Sequence, residues 1–278
     1  MASALGKIKR VANRALSRLI DHRLERTAVI PSFEPAIRTM EQLHLTPVTV
    51  IDVGVADGTP WLYETFPNAR FLLIDPAPQS LPFMKEWAQR LDAEIFNVAL
   101  GDRRARLPLN ICPEHSGSTF FEEVGHAEVS ERQEVDVFRF NELVRSIRRP
   151  SLMKIDVQGA ELMVLRGMGT LIHEIDYFVI ETSLIATIHE GPEFVDLVML
   201  MKENGFVLFD VIAFTRRPLD NALAQIDAVF VPTNSPLRRD HRWASVKPPN
   251  PSPLLGSLGL HRMRTMNHSI ADLGESPN

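Results

Sequence analysis

The chain has 278 residues, 45% of them hydrophobic and 23% charged, which is the make-up of a water-soluble globular protein with room for one large domain and appendages. No apolar run reaches the ~18–20 residues that cross a bilayer, and the opening MASALGKIKRVANRALSR lacks the uninterrupted apolar segment of a secretory signal. The net charge of -5 conceals an acidic body: residues 31–232 hold 17 basic and 30 acidic side chains, which disfavours nucleic acid as a substrate. A single cysteine, Cys112, can form no intrachain disulfide and no Cys-type zinc or iron–sulfur site, so a reducing, cytoplasmic setting is expected.

In chain order, residues 5–20 place Leu5, Ile8, Val11, Ala12, Ala15, Leu16 and Leu19 at helical spacing among Lys7, Arg10, Arg14 and Arg18. This predicts a basic amphipathic helix within a 1–30 extension, packed on the acidic domain or lying on a membrane surface or partner. Short apolar runs then alternate with helical patterns over 31–235, the sequence form of a parallel sheet with crossover helices. Strands are expected at 48–53, 70–75, 94–99, 152–157, 177–182, 207–213 and 226–232, and helices at about 33–44, 60–66, 80–91, 160–167 and 192–204. Residues 106–140 interrupt the alternation. Their RLPLNI and QEVDVFRF pieces predict two extra strands flanking a loop at 114–125, an insertion that can arch over the site. From 236 to 278 the chain is Pro-rich with little apolar periodicity and is expected to form a flexible tail.

The strongest local signal is TVIDVGVADGTP, in which a buried-type strand runs into Asp52-Val53-Gly54 and reaches Gly58 before a helix. The glycines permit a tight turn and close approach by a ligand, while the G-x-G-x-x-G pattern of a pyrophosphate cradle is missing. Asp75 closes the next strand in LLIDP, where an acidic side chain accepts hydrogen bonds from ribose hydroxyls; it could equally cap the following turn. The ordered pair points to an adenosine-type ligand. Further on, SLMKIDVQGAELMVLRGMG carries a strand with Lys154 and Asp156 on one side, followed by Glu161. Ligands of open α/β sheets bind at the carboxyl ends of strands, which places Asp156 and Glu161 near the chemistry.

Taken together, DVGVADG, LIDPAP, the segment Asn97 to Asp102, MKIDVQGAELMVLRG and VIETS followed by HEGPEF resemble the FkbM family of S-adenosylmethionine-dependent methyltransferases. The resemblance covers about residues 46–215. It implies the class I methyltransferase fold, a Rossmann-like α/β sheet of seven strands in the order 3-2-1-4-5-7-6, with strand 7 antiparallel and helices on both faces. It also implies O-methylation of a hydroxyl on a sugar, glycan or polyketide-type small molecule. By the same resemblance Asp52, Gly54 and Gly58 form the methionine-side loop, Asp75 holds the ribose, and Asn97 or Ala99 flanks the adenine. Two positions depart from the family pattern: Phe140-Asn141 stands where a Leu-Asp pair is frequent, and His189 where a tyrosine is frequent.

A hydroxyl acceptor loses a proton during transfer, and His189, Asp156, Glu161 or Glu181 could receive it, with His189 and Asp156 ranked first. Asp156, Glu161 and Glu181 could alternatively ligate Mg²⁺. A catalytically silent nucleoside-binding scaffold and an NAD-dependent oxidoreductase are the rival readings.

Overall fold

The computed structural model describes residues 32–112, 117–122, 131–186, 188–189 and 191–242. The expected helix at 5–20, half of the loop at 114–125 and most of the tail lie outside these residues. The chain divides after Leu237, and the unit ending there holds both sheets.

Its main sheet has seven strands, β1 (Thr49–Val53), β2 (Arg70–Ile74), β3 (Asp92–Phe96), β7 (Ser151–Ile155), β8 (Tyr177–Ser183), β9 (Phe206–Arg216) and β10 (Leu223–Pro232). Their spatial order is β3-β2-β1-β7-β8-β10-β9, the 3-2-1-4-5-7-6 arrangement. Pairing is parallel from β3 through β8, and the last strand, β10, runs antiparallel to both neighbours. This is the class I methyltransferase topology expected. Helices α1 (Glu34–Gln42), α2 (Pro60–Thr65), α3 (Leu81–Trp87), α4 (Phe140–Leu143), α5 (Glu161–Gly167) and α6 (Phe194–Glu203) complete the unit.

Strand β1 is buried at all five positions, because helices cover the sheet on both faces. Side chains alternate between two cores. Ile51, Val53, Met153, Ile155, Phe178 and Ile180 pack with Val164 and Leu165 of α5 and Leu197 and Met201 of α6. Val50, Leu152, Tyr177, Val179 and Val229 pack with Ala36 and Met40 of α1, Leu62 and Tyr63 of α2 and Met84 of α3.

Three expectations need correction. The third strand ends at Phe96, three residues short of the expected Ala99, because Asn97 leaves the sheet and ties down the neighbouring loop: its Nδ2 donates to the backbone oxygens of Asp75 and Ala77 at 2.8 and 3.2 Å. Residues Ala99–Leu100 form instead a short strand, β4, in a second sheet of order β4-β6-β5 with β5 (Ala105–Ile111) and β6 (Glu131–Phe138). The insertion therefore has a small core of its own, built on Ala99, Leu109, Ile111, Val135 and Val137. The fourth parallel strand stops at Ile155, so Asp156 and Val157 stand beyond the ladder, free to turn at the sheet's carboxyl edge. Finally, Leu237 packs against the core containing α1, so the folded body extends just past residue 235.

Candidate active site

Strand register brings four charged groups to one face at the carboxyl edge. Asp52 of β1 lies opposite Lys154 of β7, and Glu181 of β8 lies opposite Asp227 of β10. All four have the parity of the core that contains α1 to α3, so they line up beneath that helical layer. A cavity of about 320 Å³ opens here, at the lower end of the size range for small-ligand sites. Its walls include residues 53–61, Asp75, Ala77, 98–100, Lys154, Asp156, Gln158, Glu181 and Asp227. Leu109, Ser118 and Phe120 of the insertion close another side, so the insertion contributes a wall as its position in the sequence suggested.

One wall is organised by backbone. Asp75 is buried, and each of its carboxylate oxygens accepts a backbone N–H at 2.8 Å, Oδ2 from Ala56 and Oδ1 from Ala77. Burial raises its pKa while those amides oppose the rise. A carboxylate oxygen has two lone pairs, so the backbone amides alone do not exhaust its capacity to accept. Ala56 adopts a positive φ of 49°, which aims its N–H at Asp75. The two glycines are required by the protein itself as well as by any ligand. Gly54 has φ +83°, and a Cβ there would sit 1.7 Å from the carbonyl oxygen of Asp156; at Gly58, φ +119°, it would sit 2.1 Å from the Trp87 indole nitrogen. Close approach, read from the sequence as room for a ligand, is thus first the crossing of the β1 and β7 loops and the seat of Trp87. Ala99 lines the cavity, whereas Asn97 stands behind it, holding the Asp75 loop.

Asp52 is fully buried and does not face the cavity. Its Oδ2 accepts the Tyr63 hydroxyl at 2.5 Å, and its Oδ1 lies 3.5 Å from Lys154 Nζ. Burial, followed by the charge of Asp52, raises the Tyr63 pKa, keeping this hydroxyl a donor. Lys154 also reaches Asp156 Oδ2 at 3.3 Å and donates to the Gly54 carbonyl at 3.2 Å. Burial disfavours the lysine's charge, but Asp156 and Asp52 outweigh it, so its pKa rises and the ammonium persists.

The opposite wall is organised by side chains. Gln158 Nε2 donates to Asp156 Oδ1 at 2.8 Å and to Glu181 Oε2 at 2.7 Å, and Gln225 Nε2 reaches Glu181 Oε2 at 3.4 Å. Burial, with the nearby charges of Asp156 and Asp227, pushes Glu181 up to about 8. Asp227 is raised as well, by burial and then by Asp156, with Lys154 opposing.

The remaining two candidates stand apart. Glu161 is buried at the start of α5, where Oε1 accepts the amides of Gly159 at 3.0 Å and Val157 at 3.4 Å; burial pushes it up to about 7. Its carboxylate fastens the 157–159 loop from behind and is not among the cavity-lining groups. His189 is exposed and away from the lining, and its backbone N–H bonds to the Glu122 carbonyl at 2.8 Å. Among the described residues, no group of three or more His, Cys, Asp or Glu is arranged to hold a metal ion.

Sequence reasoning overlooked Tyr63, Gln225 and Asp227. Asp227 had a visible signal, one acid inside the apolar run AQIDAVFV; Tyr63 on a short helix had none.

A family model for the methyltransferase FkbM domain matches residues 52–208, a span that includes the 54–58 loop, Asp75, Asp156 and Glu181 and ends before Asp227. The chain belongs to the FkbM methyltransferase family. This FkbM-family methyltransferase is 26% identical over 188 residues to "Methyltransferase 1" of Beauveria bassiana (strain ARSEF 2860), a match covering 57% of the chain and 72% of that relative. Among solved structures it is similar to 1,6-didemethyltoxoflavin-N1-methyltransferase from Burkholderia thailandensis, with bound 1,6-didemethyltoxoflavin and S-adenosylhomocysteine. That match has 16% identity and a TM-score of 0.36, covering 81% of this chain and 88% of that one. It is also similar to magnesium protoporphyrin IX methyltransferase from Synechocystis PCC 6803 with bound SAM, at 9% identity and a TM-score of 0.38, covering 72% and 77%. No helix among the described residues is long and apolar enough to cross a membrane.

Proposed function

We propose that this methyltransferase uses S-adenosylmethionine to methylate a hydroxyl on a sugar, glycan or polyketide-type small molecule, in the cytoplasm. The observation that carries the reading is that a single cavity has Asp75 and the Gly54–Gly58 loop on one wall and Asp156, Glu181 and Asp227 on the other. The donor set fits the nucleoside: Asp75 would take the ribose hydroxyls, the 54–58 loop the methionine side, and Ala99 the edge of the adenine. Bound there, S-adenosylmethionine supplies an electrophilic methyl group on a sulfonium.

The protein's part is alignment, exclusion of water and handling of one proton. On such a donor the methyl carbon would exchange its bond to sulfur, which leaves as the neutral thioether, for one to the acceptor oxygen, and the hydroxyl proton released would pass to the carboxylate pair Asp156 and Glu181. Asp156, beside Lys154 and Gln158, holds the hydroxyl; Glu181, poised near neutral pH, is suited to proton transfer. Glu161 acts through the loop that it fastens. His189, being exposed, takes no part.

Isothermal titration of the full chain with S-adenosylmethionine and, separately, with NAD tests the cofactor. Binding of the first and not the second is expected. A preference for NAD would overturn the reading. Incubation with fractionated cell extract and S-adenosylmethionine should then produce S-adenosylhomocysteine with a small molecule gaining the mass of one CH₂, and cofactor binding without any turnover would favour a silent scaffold.

A further inference from the structure

Four described non-glycine residues adopt positive φ: His44, Ala56, Gln158 and Asn221. Two of them, Ala56 and Gln158, line the cavity, one beyond each of the strands β1 and β7. Ala56 uses this conformation to bond Asp75. Gln158, at φ 50°, is a long side chain in a region of backbone space that such residues avoid, and strain of this kind persists only where the surroundings over-determine it.

Those surroundings are specific. The two hydrogens of the Gln158 carboxamide reach two different strands, Asp156 beyond β7 and Glu181 on β8. Its backbone oxygen accepts the Thr119 hydroxyl at 2.6 Å, and Thr119 is itself buried and held by paired backbone bonds to Asn110 of β5, at 2.9 and 3.1 Å. The next residue, Gly159, leaves no space for a Cβ, which would lie 2.9 Å from Ile188 and 3.1 Å from Phe121. One residue thus joins the carboxylate of β7, the carboxylate of β8 and the insertion wall. Because both Gln158 and Gln225 bond Oε2 of Glu181, Oε1 is the oxygen engaged by neither carboxamide.

We propose that Gln158 is a positioning residue: it clamps Asp156 and Glu181 into one fixed pair facing the acceptor and ties that pair to the insertion through Thr119. The proposal rests on the reading of this cavity as the methyl-transfer site. A carboxamide suits the role because it donates twice and carries no charge in a place already crowded with acids. The charged and polar groups around the pair are Asp52 and Lys154 from β1 and β7, Asp227 and Gln225 from β10, and Ser118 from the insertion. A glutamate at 158 would add a further acid and lose both donated bonds.

The test is a carboxyl titration by NMR on the full chain labelled at Asp and Glu, in the wild type, Gln158→Met and Thr119→Val, with S-adenosylhomocysteine binding measured alongside. Gln158→Met keeps the length of the side chain and removes both donors, so the Glu181 midpoint should rise by about one pH unit. Thr119→Val should give a smaller rise in the same direction. The affinity for S-adenosylhomocysteine should stay within about threefold in both. An unchanged Glu181 curve in a folded Gln158→Met protein would overturn the clamp. Should that variant not fold, an unchanged Glu181 curve in Thr119→Val would do so. Failure of the wild type to bind S-adenosylhomocysteine would instead remove the methyl-transfer reading, whatever the titrations show.

Discussion

The two walls of the cavity are built by different means. On the wall proposed for the cofactor, the acid is satisfied by main chain: Asp75 accepts the amides of Ala77 and of Ala56, the latter inside a turn shaped by Gly54 and Gly58. On the wall proposed for the acceptor, Asp156 and Glu181 come from beyond β7 and from β8 and are satisfied by side chains, Asp156 by Lys154 and Gln158 and Glu181 by Gln158 and Gln225, with Asp227 of β10 opposite Glu181. Main-chain donors are fixed by the fold and leave little to vary. Side-chain partners can be exchanged one at a time, so on the proposed assignment the acceptor wall is where such a fold would change its substrate while keeping its cofactor.

The comparison breaks most readily at the crossing of the two loops. Gly54→Ala should cost about 3 kcal/mol or more, because the new Cβ would meet the Asp156 carbonyl and the residue needs positive φ. A urea midpoint close to that of the wild type would show that the walls are not locked together there. Next, Asp156→Asn should lower turnover by ~10²–10⁴-fold, measured as S-adenosylhomocysteine formed with an accepting extract fraction. Retained turnover would transfer the proton-handling role to Glu181 alone.

A third prediction concerns pH. Glu181 has a folded-state value near 8 against an ordinary 4.5, so the folded protein binds the extra proton. The stability associated with it is complete below about 4.5 and is lost as pH rises through about 8. Glu181→Gln should therefore flatten the fall in melting temperature between those values. An undiminished slope would mean that Glu181 titrates normally. The smallest effect is expected at His189. His189→Ala should leave turnover within about threefold of wild type, as for an exposed residue off the cavity wall, and a large loss would return His189 to the site.

The same contrast explains what was legible in the sequence. The strand positions, the glycine loop and Asp75 are readable from patterns contained within a few residues, whereas the strand order was implied only by the family resemblance, which the observed sheet matches. Lys154 and Asp156 could be assigned to one side by alternation, and they are 3.3 Å apart. Asp227 could not be joined to Glu181 without the register of an antiparallel last strand, which depends on residues more than forty positions apart. Glu161 looked like a cavity acid because it follows Asp156 closely. The turn through Gln158 and Gly159 directs it back onto its own loop amides. The third strand was drawn too long because NVAL is apolar enough to continue it, and only the tertiary bonds of Asn97 stop it.

The division into a cofactor wall and an acceptor wall is tested most directly by titrating S-adenosylmethionine into the wild type, Asp75→Ala and Asp156→Asn under identical conditions. Loss of charge-assisted hydrogen bonds worth ~1.5–3 kcal/mol each should weaken binding by about tenfold or more in Asp75→Ala, while Asp156→Asn stays within a few-fold of the wild type. Equal weakening in the two variants, or an unchanged affinity in Asp75→Ala, would contradict the division.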